Sequence, residues 1–292
     1  MACDILFQRT QNANSKVTRI TVEFHGTRGS IPVCSPKYQE FGGNTSCISI
    51  LNHETNRIGI LDAGTGIRQL GKRIQSELPD QKSLFITFTH FHWDHIQGLP
   101  FFKPAYDPEM EINIMVLGVK QEFTDLQEIF EAQMQQEYFP ISLDNMGCRF
   151  NFLMYNDSSA HFRKTGIRAI KQKHPGGSYG FRLESKEITI VVCTDVEHGE
   201  KVDPEIVAFC QGADLLVHDA QYTSEELQNH RGWGHSSFEQ ALEVAEQAEV
   251  GQLVMTHHDP DHDDDFLTQV EKKCQKRLKN CTLAREGMTI DL

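Results

Sequence analysis

Residues 83–95 read SLFITFTHFHWDH. The first seven, Ser83 to Thr89, form a short apolar run rich in β-branched and aromatic side chains, which predicts a buried strand. Then His90, His92, Asp94 and His95 fall within six positions, in a chain with 14 His among 292 residues. If the extended backbone persists through His92, then His90 and His92 lie on one side. Gly98 and Pro100 signal a turn, so a chain curling there aims Asp94 and His95 back beside them. A catalytic zinc usually takes three protein ligands. Four in one loop point to two metal ions, and a solvated polar loop is the alternative.

Composition narrows the class. Hydrophobic residues make up 39% and charged residues 24%, ordinary for a soluble globular chain that can bury a full core. No apolar run approaches the length of a membrane span, and the N-terminus lacks the pattern of a secretory signal. The eight cysteines are scattered without a C-x-x-C pair and read as reduced thiols, so a cytoplasmic location is expected. The net charge of −13 opposes binding a long polyanion, although divalent ions would make a pocket locally positive for a small anion. No membrane association is expected.

Strand and helix patterns alternate along both halves. Strands are expected at VTRITVEF, SCISIL and RIGIL, with a helix over 66–78 presenting Ile67, Leu70, Ile74 and Leu78 on one face. Residues 101–165 read as an insertion with a strand from Ile112 to Leu117 and a helix carrying Phe123, Leu126, Phe130 and Met134. That stripe fits core or a subunit interface, so a homodimer is open. Strands at GIRAIKQ, SYGFRLE, EITIVVCTD, DLLVHDA, QLVMTHH and MTIDL alternate with helices near 204–210, after HSSFEQ, and near the C-terminus. The pattern predicts an α/β sandwich formed by one domain spanning 1–292.

Three further polar residues stand just past strand ends, where open sheets often place their sites. They are His174 after GIRAIKQK, Asp195 at the tip of EITIVVCTD and His257 after QLVMT. Singly they read as a turn residue, a helix N-cap and a surface histidine. Together with 90–95 they offer a third His for one ion, a carboxylate able to bridge, and a last His for another.

The motifs LDAGTG, THFHWDH, HPGGSYGF, CTD, HDAQ, GHSS and LVMTHHDP, in that order over nearly the whole chain, resemble those of the metallo-β-lactamase-fold hydrolases. The resemblance implies a four-layer αββα sandwich with its site at the sheet edges. It implies one metal on His90, His92 and His174, and a second on Asp94, His95 and His257, with Asp195 bridging. Asp62 would support the histidine loop without being a ligand. Zinc is the default, and His/Asp ligation also permits manganese or iron.

Classical β-lactamases carry a Cys ligand where this chain has Asp195, so the phosphodiesterase branch is closer. His218-Asp219 and His235-Ser236-Ser237 resemble that branch's His-Glu-Ala-Thr and His-Ser-Thr motifs. RNase Z usually grips tRNA with a long arm between the third His and the bridging Asp. Here two expected strands fill that interval. The expectation is therefore hydrolysis of a small phosphodiester, most simply a cyclic nucleotide or other cyclic phosphate, by water activated between the ions, with nucleic acid disfavoured. An RNase Z-like RNA 3′-processing nuclease and a non-catalytic metal-binding sensor are the alternatives. His235 is expected to protonate the leaving group, oriented by Asp219, with Asp94 also catalytic. Ser236-x-x-Glu239 reads as a capping box. Asn44, Thr45, Ser46 and Ser236 are candidate substrate contacts. The sequence leaves the parts of His258 and His262 open.

Overall fold

A computed structural model describes residues 19–116, 126–154, 166–185 and 187–292. Among them, thirteen strands form two sheets. The first holds β1 (Ile20–Gly26), β2 (Cys47–Asn52), β3 (Arg57–Leu61), β4 (Ser83–Phe88), β5 (Glu111–Val116), β6 (Arg149–Met154) and the late β13 (Thr289–Asp291), in the order β13-β1-β2-β3-β4-β5-β6. The second holds β7 (Ile167–Gln172), β8 (Ser178–Glu184), β9 (Thr189–Cys193), β10 (Leu215–Asp219), β11 (Gln252–Thr256) and β12 (Cys281–Leu283), in the order β12-β11-β10-β9-β8-β7. Both sheets are mixed: antiparallel through β13-β1-β2-β3 and β7-β8-β9, parallel through β3-β4-β5-β6 and β9-β10-β11-β12.

Three apolar layers hold the sandwich together. Val22, Phe24, Ile50 and Phe85 of the first sheet meet Phe181, Ile190, Val192 and Val217 of the second between the sheets. On the outer face of the first sheet lie α1 (Ile67–Glu77), which buries Ile67, Leu70 and Ile74, and α3 (Leu126–Gln133), which buries Leu126 and Phe130; the one-turn α2 (Trp93–Ile96) sits at the sheet's edge. The spacing i, i+3, i+7 in α1 puts its three large side chains on one stripe. Burial of each is worth about 1.5–3 kcal/mol. The second sheet is covered by α4 (Pro204–Cys210), α6 (Phe238–Gln247) and α7 (Asp264–Arg277), with the short α5 (Ser224–Asn229) between α4 and α6 in sequence. The result is the expected αββα arrangement.

The elements depart from expectation locally. Helix α6 is capped by Ser237, not Ser236: the Ser237 hydroxyl accepts from Gln240 N, and the Gln240 side chain accepts from Ser237 N. The reciprocal box is present but shifted by one residue, which frees Ser236 for another role. Strands β6 and β12 and helix α5 were not read from the sequence. Leu117 and Phe123 lie outside the described residues. Cys47, Cys193, Cys210, Cys274 and Cys281 are buried free thiols. No helix among the described residues is long and apolar enough to cross a membrane.

Parallel register brings the polar residues to one edge. Cys193, His218 and Met255 stand side by side on β9, β10 and β11, so Asp195, Asp219 and His257 all emerge at the same end. Strands β3 and β4 deliver Asp62 and the 90–95 loop to that end of the facing sheet. The segment 27–30 straps the two sheets across this end, through bridges from the buried Arg28 to Thr45 and to His258.

Candidate metal centre

Three groups of ligand-type side chains converge at the strand ends: His90, His92 and His174; Asp94, His95, Asp195 and His257; and Asp195, Asp219, His235 and His257. The potential ligand atoms within each group lie within 4.8 Å of one another. Asp195 reaches histidines of the first two. Its Oδ1 is 3.8 Å from His90 Nε2, 3.9 Å from His174 Nε2 and 3.3 Å from His257 Nε2, and its Oδ2 is 3.2 Å from His95 Nε2. Asp94 Oδ2 stands 3.1 Å from His257 Nε2 and 3.4 Å from His95 Nε2. Every sequence-nominated ligand is therefore present at one place.

The backs of the imidazoles are held. His90 Nδ1 lies 3.1 Å from the Thr89 hydroxyl, which donates to Asp62 Oδ2 at 2.9 Å. His95 Nδ1 donates to the same Asp62 Oδ2 at 2.9 Å. His174 Nδ1 donates to the Gly234 carbonyl at 2.9 Å, and His257 Nδ1 to Gln221 Oε1 at 3.0 Å. Such bonds fix the tautomer and leave the opposite nitrogen with a lone pair. The Nε2 atoms of His90, His95, His174 and His257 thus face inward, and His92 turns its Nδ1 to the same place.

That arrangement calls for cations. His90 Nε2, His95 Nε2 and Asp195 Oδ2 are buried with no hydrogen-bond partner. His92 Nδ1 and His174 Nε2 stand 3.0 Å apart. Two lone pairs at that distance repel unless a proton or metal lies with them. Buried polar atoms without partners are rare and costly, and a metal-ligand set is a physical reason for them. Burial lowers His90 well below its ordinary value and lowers His92 and His174, so this trio is neutral, the ligating form. Burial alone would raise Asp195, but His257 and His95 outweigh it and hold the carboxylate ionised. His257 shows the reciprocal effect: burial opposes its charge, yet Asp195 and Asp94 raise it to about 9.

The backbone is bent to make this edge. Ser30, Asp62, Asp195 and His257 are non-glycine residues at positive φ (62°, 62°, 59° and 65°). That conformation is unfavourable for such residues and clusters at functional sites. Gly234, at φ 92°, passes so close to His174 that a Cβ would sit 2.1 Å from its Nδ1. At Gly29 an added Cβ would sit 2.3 Å from His257 Nδ1.

His235 stands beside this centre. Its Nδ1 donates to Asp219 Oδ2 at 2.8 Å, and the buried Asp219 also accepts from Asp195 N at 3.1 Å and Ser236 N at 2.8 Å. One carboxylate thus orients His235 and the Asp195 backbone together. Ser30, His92, Asp94, Asp195, His235 and His257 contribute to the walls of a cleft of about 370 Å³.

Four nominated substrate contacts are placed elsewhere. Asn44 is tied through its side chain to Glu286 Oε2 at 2.9 Å. Thr45 is buried, its hydroxyl accepting from Thr65 N at 2.9 Å while its own N–H donates to the Thr65 hydroxyl. Ser46 is buried, and its carbonyl accepts from Gly64 N. Ser236 is buried with its hydroxyl turned to the Val196 carbonyl. Their polar groups close loops and do not line the cleft. His258 bonds the Ala284 carbonyl and His262 bonds Glu226, so neither joins the ligand groups. Sequence reasoning missed Ser30, whose N–H donates to Asp94 Oδ2 at 2.8 Å, and Gln221. Gln221 had a signal in the quoted HDAQ. Ser30 acts through its backbone and had none beyond its Gly-rich loop.

The beta-lactamase superfamily domain matches residues 57–258. The ribonuclease Z of Pediococcus pentosaceus is 24% identical over 311 residues, covering 93% of this chain and 98% of that protein. The metallo-beta-lactamase fold protein YhfI from Bacillus subtilis matches with a TM-score of 0.67 at 17% identity, over 94% of this chain and all (100%) of that one. The short form of human tRNase Z matches with a TM-score of 0.58 at 20% identity, over 92% and 98%. At these identities the solved structures share the fold.

Proposed function

The chain belongs to the beta-lactamase superfamily and is a metallo-β-lactamase-fold, metal-dependent hydrolase; from that premise we propose that it is a phosphodiesterase working with two divalent cations. The observation that carries this is that Asp195 lies within 3.9 Å of histidines from the first two ligand groups, with His90 Nε2, His95 Nε2 and Asp195 Oδ2 buried without a hydrogen-bond partner. His90, His92 and His174 would hold one cation, and Asp94, His95 and His257 the other, with Asp195 between them. Zinc suits these donors, and manganese or iron would accept them too. When bound, the cations neutralise charge on phosphoryl oxygens and lower the pKa of water.

The remaining roles fall to the chain's own groups. Asp94 and Asp195 would be engaged as ligands and so would be poor proton donors. His235 has its Nδ1 committed to Asp219, which leaves Nε2 as the atom to give the departing alkoxide a proton. Asp219 orients the ring and fixes its tautomer, and Asp62 steadies His95 and Thr89.

The likeness to ribonuclease Z over 93% of the chain favours an RNA phosphodiester above the cyclic nucleotide expected from the sequence, and RNA is the reading adopted. A small cyclic phosphate is the second reading. It is favoured by the net charge of −13 and by the His174–Asp195 interval, where β8 and β9 leave only residues 185–188 between them. The test offers metal-loaded protein a 3′-extended pre-tRNA, cyclic AMP, cyclic GMP, 2′,3′-cyclic nucleotides and bis-p-nitrophenyl phosphate. Endonucleolytic cleavage of the RNA supports the first reading, and turnover of cyclic nucleotides alone supports the second. Failure on every phosphodiester by protein that holds two metals overturns both.

A further inference from the structure

Trp93 interrupts the ligand run, between His92 and Asp94. It opens α2, and its neighbours Asp94, His95 and Ile96 take the buried face of that single turn. Trp93 is left 63% exposed on the wall of the cleft. Among the described residues its indole meets no other ring. The chain's other tryptophan, Trp233, is 60% exposed one residue before Gly234, but its ring rests against His230 with centroids 4.9 Å apart. Phe91, the remaining aromatic wall, is packed inward on Phe88 and Phe130 at 5.7 and 6.0 Å. An indole is the largest flat apolar surface a protein can offer, and here it is held free beside the residues that would contact the phosphate.

We propose that Trp93 is a stacking surface for the nucleobase adjoining the scissile phosphate, which makes it a specificity-determining residue of this cleft. This rests on the phosphodiesterase reading, and it applies whether the nucleotide belongs to an RNA strand or to a small ester. Apart from Ser30 and the His and Asp side chains of the centre, the walls are Phe91 and Trp93. Neither offers a donor or acceptor set able to read a base edge. Stacking on a π face accepts every base, so the cleft should favour a nucleoside over an alkyl group while discriminating little among bases.

Two p-nitrophenyl esters with the same leaving group separate the effects: thymidine 5′-p-nitrophenyl phosphate and methyl p-nitrophenyl phosphate. With the metal-loaded enzyme the readout is the ratio of their kcat/KM values. The wild type should prefer the nucleoside ester, Trp93→Ala should lower that ratio about ten- to hundredfold, and Trp93→Phe should keep most of it. In Trp233→Phe protein, where Trp93 is the sole indole, AMP and CMP should quench tryptophan fluorescence and methyl phosphate should not. A ratio unchanged in Trp93→Ala, or no quenching by either nucleotide, overturns the stacking role alone. A wild type that cleaves neither ester overturns the phosphodiesterase reading instead.

Discussion

Two buried charged clusters in this molecule have opposite fates. On the helix face of the second sheet, the Glu271 carboxylate accepts from the Thr282 hydroxyl at 2.7 Å, Leu283 N at 2.8 Å, and Arg285 Nη1 and Nη2 at 2.9 and 2.8 Å. Arg285 also lies over the Phe41 ring at 4.0 Å. Burial would raise Glu271, but Arg285, Leu283 and Thr282 outweigh it and bring it to about 2. Each of its oxygens has a protein partner, so the cluster is closed by the chain's own groups and contributes to folding. At the strand-end centre the outer nitrogens of His90, His95, His174 and His257 have partners, while His90 Nε2, His95 Nε2 and Asp195 Oδ2 on the inside have none. The difference lies in which atoms are answered. A closed network stabilises, whereas one closed only on its outside is preorganised for something else.

Substitutions distinguish the two clusters. The largest effect is expected at Asp195, the group common to both sides of the centre. Asp195→Ala should lower cation content and reduce turnover by more than about a thousandfold, read by elemental analysis and phosphodiester hydrolysis. A variant with full metal content and near-normal rate would mean that Asp195 does not bridge. His235→Ala should cost about 10²–10⁴-fold on unactivated esters. The cost should be much smaller with a p-nitrophenyl leaving group, and both metals should be retained. Equal losses on both ester types would remove the proton-donor role.

Asp62→Asn changes an acceptor behind His95 and Thr89 into a partial donor. It should weaken metal affinity or activity by about 10–100-fold, measured by competition with a chelator. Glu271→Gln should have the reverse profile. We expect about 2 kcal/mol lost in urea unfolding, with turnover per folded molecule retained. Because Glu271 titrates at about 2 when folded against its ordinary 4.5, its contribution is full above that ordinary value and is lost as pH falls through about 2. The stability gap between wild type and Glu271→Gln should therefore narrow between pH 6 and pH 3. A gap that widens would contradict this cluster's ionic character.

The centre was legible because metal ligation demands particular side chains at high density. His90, His92, Asp94 and His95 share one loop, and His174, Asp195 and His257 each follow a readable strand. The alternation of strands and helices carried the sandwich. What the sequence hid acts through backbone or through one-residue registers. Ser30 meets Asp94 by its amide, a group every residue except proline has. Ser236 and Ser237 are adjacent serines, and only the chain's path decides which one caps α6. Asn44 and Thr45 looked like ligand donors because polar residues in glycine-rich loops do both jobs. Here Glu286 and Thr65, both distant in sequence, take them. Strand β12 has three residues, too few for periodicity to show.

Cation stoichiometry decides whether the strand-end centre holds two ions. Protein purified without chelator, or stripped and reconstituted, should bind two divalent cations per chain by elemental analysis. A reproducible single equivalent that reconstitution does not raise would contradict the reading of His90, His92, His174, Asp94, His95, Asp195 and His257 as one shared two-cation centre.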